Sequence, residues 1–455
     1  MTTATGAMLR RIQTGNAMAA FGSGFTVPYL FLYVARVRDL GAGTAGAVLA
    51  AFAAAALLVL PVVGRVIDSR GPMPVALGGV AAASGGALAF GLSGSAPSVL
   101  AASALMGAGI AVVQPALATM IVWCSTTTTR SRAFATQFFL NNLGMGFGGL
   151  LGGQIVDEHR AGTFTLLFVV ESVMFLVLAA VLGTVRLPQA PGVPEPVPGA
   201  AEGTGGWRAL LSHRAMVLLC VLGFVLFFAC YGQFESGLPA YGVEVTGIST
   251  ATLGIALFAN TTVIALAQFV VLRLVQGKRR SRVVALVGLV WTVAWVAAGL
   301  SGVVPHGAAV ATGLLIGTYA LFGLGEAMLS PTVAPLVADL APRRMVGQYN
   351  SAFALVKQLG VAVGPAVGGL MMAHRAYGAY ILLLIVCSLG ITALALWLGR
   401  RLTPGQDDPS RGAGRAGSRI VATNTTTAVT ASAETAGSTP PTGTPAEDRS
   451  PAARA

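Results

Sequence analysis

One glycine-rich pattern occurs twice in this chain, each time inside an apolar run long enough to cross a bilayer. Leu143-Gly144-x-x-x-Gly148-Gly149-x-x-Gly152-Gly153 returns as Leu359-Gly360-x-x-x-Gly364-Pro365-x-x-Gly368-Gly369, displaced by 360 − 144 = 216 positions. Small residues four apart on an apolar helix let two backbones approach closely. Glycine-interrupted segments at matching places in two halves point to an internally repeated transport fold. The repeat reaches further. Gly107-x-Gly109 and Pro115 match Gly323-x-Gly325 and Pro331 at the same displacement, and Pro28 matches Pro239 at 211.

The rest of the chain fits lipid. It has 455 residues, of which 55% are hydrophobic and 10% charged, and a mean hydropathy of +0.77. A water-soluble core cannot hide that much apolar surface, whereas a bilayer accepts it. Runs of about 20 residues predict spans at 12–34, 43–64, 74–93, 97–122, 134–156 and 163–185, then at 215–241, 249–275, 283–304, 308–338, 349–372 and 376–399. The expectation is an all-α membrane protein with twelve transmembrane helices in two pseudo-symmetric six-helix bundles. The bundles occupy residues 1–186 and 213–402. Between them, 187–212 reads as a solvated cytoplasmic linker rich in proline. From 403 to 455 the Thr, Ser, Ala, Gly and Pro content predicts a disordered cytoplasmic tail.

The net charge of +12 does not indicate nucleic acid, because the arginines are spread over short loops with no basic face and no interleaved aromatics. They follow topology instead. With both termini in the cytoplasm, the inner loops hold Arg65, Arg70, Arg130, Arg132, Lys278, Arg279, Arg280, Arg282, Arg343 and Arg344, while Arg36, Arg38, Arg160 and Arg375 remain outside. Arg10-Arg11 reads as an inner flank of the first span, since no small-residue cleavage site closes the run that follows. Cys124, Cys220, Cys230 and Cys387 stand singly in apolar runs, and the four histidines fall near span ends. No disulfide framework, metal site or cofactor is indicated. No phosphate loop is present, so direct use of ATP is not expected.

These features make the chain similar to the major facilitator superfamily over roughly residues 10–400, and within it to the twelve-helix drug:proton antiporters of bacteria. Gly64-x-x-x-Asp68-x-x-Gly71 resembles the signature loop between helices 2 and 3, although Pro72-Met73-Pro74 replaces the usual basic residues. Gly360-x-x-x-Gly364-Pro365-x-x-Gly368-Gly369 resembles the antiporter motif. That family carries the motif in helix 5, where this chain has Gly149 in place of proline. The arginine many members carry in helix 4 is absent, and Gln114 is the polar residue there. The resemblance implies gating or conformational roles for Gly64, Asp68, Gly71, Gly148, Gly149, Gly152, Gly364, Pro365 and Gly368. Asp68 is expected to hold the inner gate through arginines or a helix N-terminus.

Three acids lie within spans: Glu171, Glu235 and Glu326. A mid-membrane charge costs on the order of 2.5–3.5 kcal/mol on insertion scales, so such a carboxyl faces protein or a wet cavity. There it can carry a proton between the two sides. Glu326 shares a helix face with Tyr319, Phe322 and Ser330, and Glu235 with Tyr231 and Phe228. We assign proton coupling to Glu326 and Glu235, and the substrate cavity to Tyr319, Phe322, Ser330, Tyr231, Phe228, Gln114, Asn141 and Asn260. Glu171 reads as a packing contact. Lys357 either pairs with Glu326 or extends its stem to the inner interface.

The function expected is secondary active transport: a proton-coupled, monomeric exporter of lipophilic small molecules in the cell membrane, and not an enzyme. Two alternatives remain open at this stage. One is a transporter dedicated to a single metabolite, and the other is a membrane receptor or scaffold without transport.

Overall fold

Each apolar run becomes a helix, and the punctuation between runs is local. The structure is a computed structural model that describes residues 3–157, 159–188, 206–234, 236–305 and 309–408. The first half contains α1 (Thr3–Thr26), α2 (Gly41–Arg70), α3 (Pro72–Leu92), α4 (Ala96–Trp123), α5 (Arg130–Ile155) and α6 (Ala161–Gly183). The second contains α7 (Arg214–Leu226), α8 (Thr250–Val275), α9 (Arg280–Ser301), α10 (Ala309–Leu329), α11 (Val346–Ala373) and α12 (Tyr377–Gly399). Gly71 ends α2 with a φ of 85°, and Pro72 opens α3 directly behind it. Glycine at that φ and proline in the first turn are the cheapest residues for those positions.

Among the described residues, eleven helical segments are both long and apolar enough to span a membrane. The remaining one, α5, has 26 residues but carries Gln137, Asn141, Asn142 and Gln154, of which Gln137 and Asn141 face a cavity.

The duplication predicted from the glycines is visible as contact. A Cβ on Gly148 of α5 would strike the Phe21 carbonyl oxygen of α1, and one on Gly364 of α11 would lie 2.7 Å from the Gly232 Cα just beyond α7. A Cβ on Gly107 of α4 would lie 2.5 Å from the Phe52 carbonyl oxygen of α2, and one on Gly323 of α10 would lie 2.6 Å from the Asn260 carbonyl oxygen of α8. Corresponding helices thus meet at corresponding glycines in the two halves. Gly149 is different: its Cβ would meet the Gly24 carbonyl oxygen at an ordinary 3.5 Å.

Breaks in the helices also pair. Beyond α1 the chain passes through a 3-10 turn at Val27–Tyr29, holding Pro28, to a π segment at Tyr33–Val37. Beyond α7 a π segment at Phe227–Tyr231 is followed by a short helix at Gly237–Tyr241, holding Pro239, and a further π segment at Gly242–Thr246. The two matched prolines of α4 and α10 diverge. Pro115 lies inside a continuous helix, whereas Pro331 falls in a turn before a short helix at Val333–Leu340.

Most of the core belongs to one half or the other. One cluster, built around Trp291, Trp295, Tyr319 and Phe322, lies wholly in the second half. A second, in the first half, admits only Ala338 and Val346 as buried members from across the divide. Between the halves, α2 packs along α11 and α5 touches α8.

Two expectations need correction. The segment from Thr403 does not leave the fold at once: Pro404–Asp407 forms a helical turn, and Asp407 accepts hydrogen bonds from the Ser281 amide (2.8 Å) and hydroxyl (2.9 Å). It caps the start of α9. The end of the linker is also anchored, since Trp207–Ser212 is a short helix whose Trp207 indole donates to the Pro61 carbonyl at 3.1 Å. Residues 189–205 and 409–455, which include most of the expected linker and tail, lie outside the described residues.

Candidate functional site

A cavity of about 300 Å³ lies between the halves, walled by α1, α4 and α5 on one side and by residues of the α7, α10 and α11 segments on the other. The first-half wall is neutral and rich in amides: Asn16, Gln114, Gln137 and Asn141. Asn16 Nδ2 and Gln137 Nε2 both donate to Asn141 Oδ1, at 3.1 and 2.8 Å. The second-half wall carries Glu326, Lys357, Tyr231, Ser330 and Asn350. Phe134, Phe138, Phe227 and Phe353 supply the aromatic surface. Small-molecule sites have this character: apolar overall, with few and convergent polar groups.

Glu326 is held from two sides. Asn260 Nδ2 donates to its Oε1 at 3.3 Å, and the Tyr231 hydroxyl shares a hydrogen bond with its side chain. Tyr231 is positioned by the π segment of the α7 region, which turns both Phe227 and Tyr231 toward the cavity. Such wide turns recur at functional sites.

Lys357 lies opposite no acid. Its Nζ stands 5.2 Å from the centroid of the Phe227 ring, and its side chain is exposed to the cavity. The pairing with Glu326 considered above does not occur, and neither does escape to the interface. Val346 begins α11, so eleven residues at 1.5 Å each place Lys357 about 17 Å along the helix. A cation–π contact returns ~0.5–2 kcal/mol against an insertion cost of about 2.5–3.5 kcal/mol. A wet cavity supplies the remainder.

Several sequence-derived cavity residues stand elsewhere. Tyr319 and Phe322 are fully buried and pack within the second half. Tyr319 stacks edge-on against Phe234 and Phe322 against Trp295, with ring centroids 5.0 and 5.1 Å apart. Phe228 belongs to the same core. Asn260 lies behind Glu326, bonded to it and to the Tyr319 carbonyl (3.2 Å), and does not line the cavity. Tyr231, Ser330, Gln114 and Asn141 do line it, together with Glu326. Glu235 lies outside the described residues. Glu171 is fully buried in the first half, and neither carboxyl oxygen has a hydrogen-bond partner in ordinary geometry, although the Thr26 and Ser23 hydroxyls are near.

The end of the molecule bearing the basic loops is tied shut. Asp68, at the end of α2, accepts hydrogen bonds from the Gly347 and Gln348 amides at 2.6 and 3.0 Å. Of the two partners considered for Asp68, the helix N-terminus is the one present. Gly64 makes the approach possible: a Cβ there would lie 2.6 Å from the Gln348 Cα. Gly71 ends α2 with open space around it. Beside this contact, Asp339 receives Arg280 on Oδ2 at 2.6 Å and Arg130 on Oδ1. Arg280 and Asp339 belong to the second half and Arg130 to the first, so the triad is a latch. Asn350 to Thr119 (3.2 Å) and Ser330 to the Phe134 carbonyl (3.3 Å) add cross-half bonds just above it. Sequence reading placed Arg130 and Arg280 as topological flanks and gave Asp339 no role. Basic residues at two helix starts, with an acid near the end of the short helix Val333–Leu340, were the available signal.

Two repeated bundles around a shared cavity, with a latch at one end, are the architecture of a membrane transporter. The chain belongs to the Major Facilitator Superfamily, whose sequence profile matches residues 14–304 and 246–433. It is therefore a transporter rather than an enzyme. It is 24% identical over 389 residues to YqjV, an uncharacterized MFS-type transporter of Bacillus subtilis, covering 84% of this chain and 90% of that one. A shorter stretch of 104 residues is 36% identical to the multidrug efflux pump LfrA of Mycolicibacterium smegmatis, covering 22% of this chain and 19% of the pump. Among solved structures, the transporter FucP in the outward conformation matches with a TM-score of 0.68 at 15% identity, covering 86% of this chain and 98% of that one. That likeness shows the shared fold.

Proposed function

We propose that this protein is a proton-coupled exporter of lipophilic small molecules, and that Glu326 exchanges a proton for cargo. One observation carries the reading: a carboxyl group in the middle of the membrane-spanning body lines a cavity that both halves enclose. Asn260 and Tyr231 give it polar neighbours, which lets it exist in both protonation states. The excess of arginine at the latched end supports assigning that end, and both chain termini, to the cytoplasm. The cavity then faces outward with its inner gate closed. In this state Glu326 takes a proton from the outer side. Opening of the Asp68 and Asp339 contacts turns the cavity inward, where cargo from the cytoplasm or inner leaflet displaces the proton. The partial likeness to a multidrug pump favours efflux over uptake.

One pH unit supplies about 1.4 kcal/mol per proton, and the membrane potential ~2.3 kcal/mol per charge per 100 mV. Together they sustain a tenfold to several-hundredfold gradient at one proton per molecule. Each half holds its own core, which supports reading the working unit as a monomer in the cell membrane. The test is accumulation of a lipophilic dye by inverted membrane vesicles from an efflux-deficient host. Acidifying the vesicle lumen is expected to drive uptake only when the protein is present. Dye movement that ignores the proton gradient refutes the coupling.

A further inference from the structure

The two charged side chains of the cavity have different company. Glu326 is engaged by Asn260 and Tyr231. Lys357 makes no hydrogen bond and no ion pair among the described residues, and its ammonium has only the face of Phe227 beside it. The protein therefore keeps an uncompensated cation in a cavity at mid-membrane depth. A charge held at that depth is expected to be matched by a ligand when it is not matched by the protein. Opposite it, Asn141 uses Oδ1 to accept from both Asn16 and Gln137, which leaves its amide nitrogen free to donate. Phe227 and Phe353 offer the flat apolar surface between.

We infer that the cargo is a zwitterionic amphiphile whose carboxylate or sulfonate is held by Lys357 while its ammonium takes the place of the proton on Glu326. This rests on reading the cavity as the transport site, and it narrows the cargo beyond lipophilic molecules in general. The charge count follows directly. With a zwitterion bound, Lys357 and the ionised Glu326 are both matched and the cavity is neutral. A purely cationic cargo leaves the lysine unmatched. A purely anionic one gives no reason for the Glu326 proton to leave. Competition at Glu326 and recognition at Lys357 are thus separate tasks of two side chains, one from α10 and one from α11, on the same wall of the cavity.

Three fluorescent probes of matched shape separate these tasks: Nα-dansyl-lysine, which is zwitterionic, Nα-dansyl-norleucine, which lacks the ammonium, and dansylcadaverine, which lacks the carboxylate. Binding is measured on the purified full-length protein in nanodiscs. Dansyl-lysine is expected to bind at least tenfold more tightly than either partial analogue. Lys357→Gln is expected to weaken dansyl-lysine and dansyl-norleucine at least tenfold without weakening dansylcadaverine, while Lys357→Arg retains the preference. Because Lys357 makes no hydrogen bond and no ion pair among the described residues, Lys357→Gln loses no polar partner, only the cation–π contact with Phe227. Binding of dansyl-lysine that is indifferent to Lys357→Gln overturns the inference, as does dansylcadaverine binding as tightly as dansyl-lysine, or no binding by any probe. Lys357-dependent binding without transport of dansyl-lysine in proteoliposomes upholds the recognition site and overturns the transport reading instead.

Discussion

Replacing Asp68 with alanine tests the inner gate, and its size can be worked from two contacts. The carboxylate accepts the Gly347 and Gln348 amides at 2.6 and 3.0 Å, which are the first donors of α11 and have no partner within that helix. A hydrogen bond to a charged group contributes about 1.5–3 kcal/mol, and an N-cap about 0.5–2 kcal/mol. Both figures describe one contact, and water solvates the freed amides once the gate opens, so about 2–3 kcal/mol is the appropriate total. At 1.4 kcal/mol per factor of ten, the closed-to-open ratio of the inner side falls ~30- to ~140-fold. The Arg130–Asp339 contact persists in this variant, so Asp68→Ala is paired with Arg130→Gln. The assay is electron-electron double resonance between spin labels on Arg65 and Arg344, both exposed and on opposite halves, with the four native cysteines replaced. The wild type is expected to give a short inner distance, Asp68→Ala a mixture and the double variant a predominantly long one. An unchanged distribution in the double variant refutes the gate.

Further consequences concern stability. Gly148→Ala forces a Cβ onto the Phe21 carbonyl oxygen, whereas Gly149→Ala makes only ordinary contact. The first is expected to cost about 1–3 kcal/mol, as overpacking does, and the second under about 0.5 kcal/mol, read as thermal shifts of the purified protein. Truncation after Leu402 removes the Asp407 cap of α9 and is expected to cost about 0.5–2 kcal/mol, while truncation after Asp408 leaves the melting temperature unchanged. Asp339→Asn leaves Arg130 and Arg280 without their shared charge. Because breaking a buried pair costs about 3–5 kcal/mol, it is expected to lower yield and melting temperature more than Arg130→Gln does.

Much of the architecture is legible in the amino-acid sequence. Helix number and pairing follow from apolar run length and from the 216-residue repeat, because lipid forces every backbone group into a helix and close helix contacts demand glycine. Side-chain direction was harder. These helices are apolar on most faces, so hydrophobic pattern does not separate the cavity from the bundle core. Tyr319 and Glu326 share one face of α10, yet about 10 Å further along the axis that face is covered by Phe234, whose carbonyl oxygen lies 3.4 Å from the Tyr319 hydroxyl. The partners of Asp68 and Asp407 are backbone amides 279 and 126 residues away in sequence. No local pattern encodes such a contact, although an acid at a helix end is the residue type that makes it. Lys357 was visible as an oddity, and its isolation became plain only with its surroundings.

The central claim is that Glu326 couples proton movement to cargo movement. Its most direct test is transport by reconstituted wild-type protein and Glu326→Gln, with and without an imposed pH gradient. Wild-type protein is expected to accumulate cargo against its gradient when the outer side is acidic. The variant, which cannot ionise there, is expected to exchange cargo down its gradient yet never concentrate it, with a rate that is flat in pH. Uphill transport by Glu326→Gln with the wild-type response to pH contradicts the account.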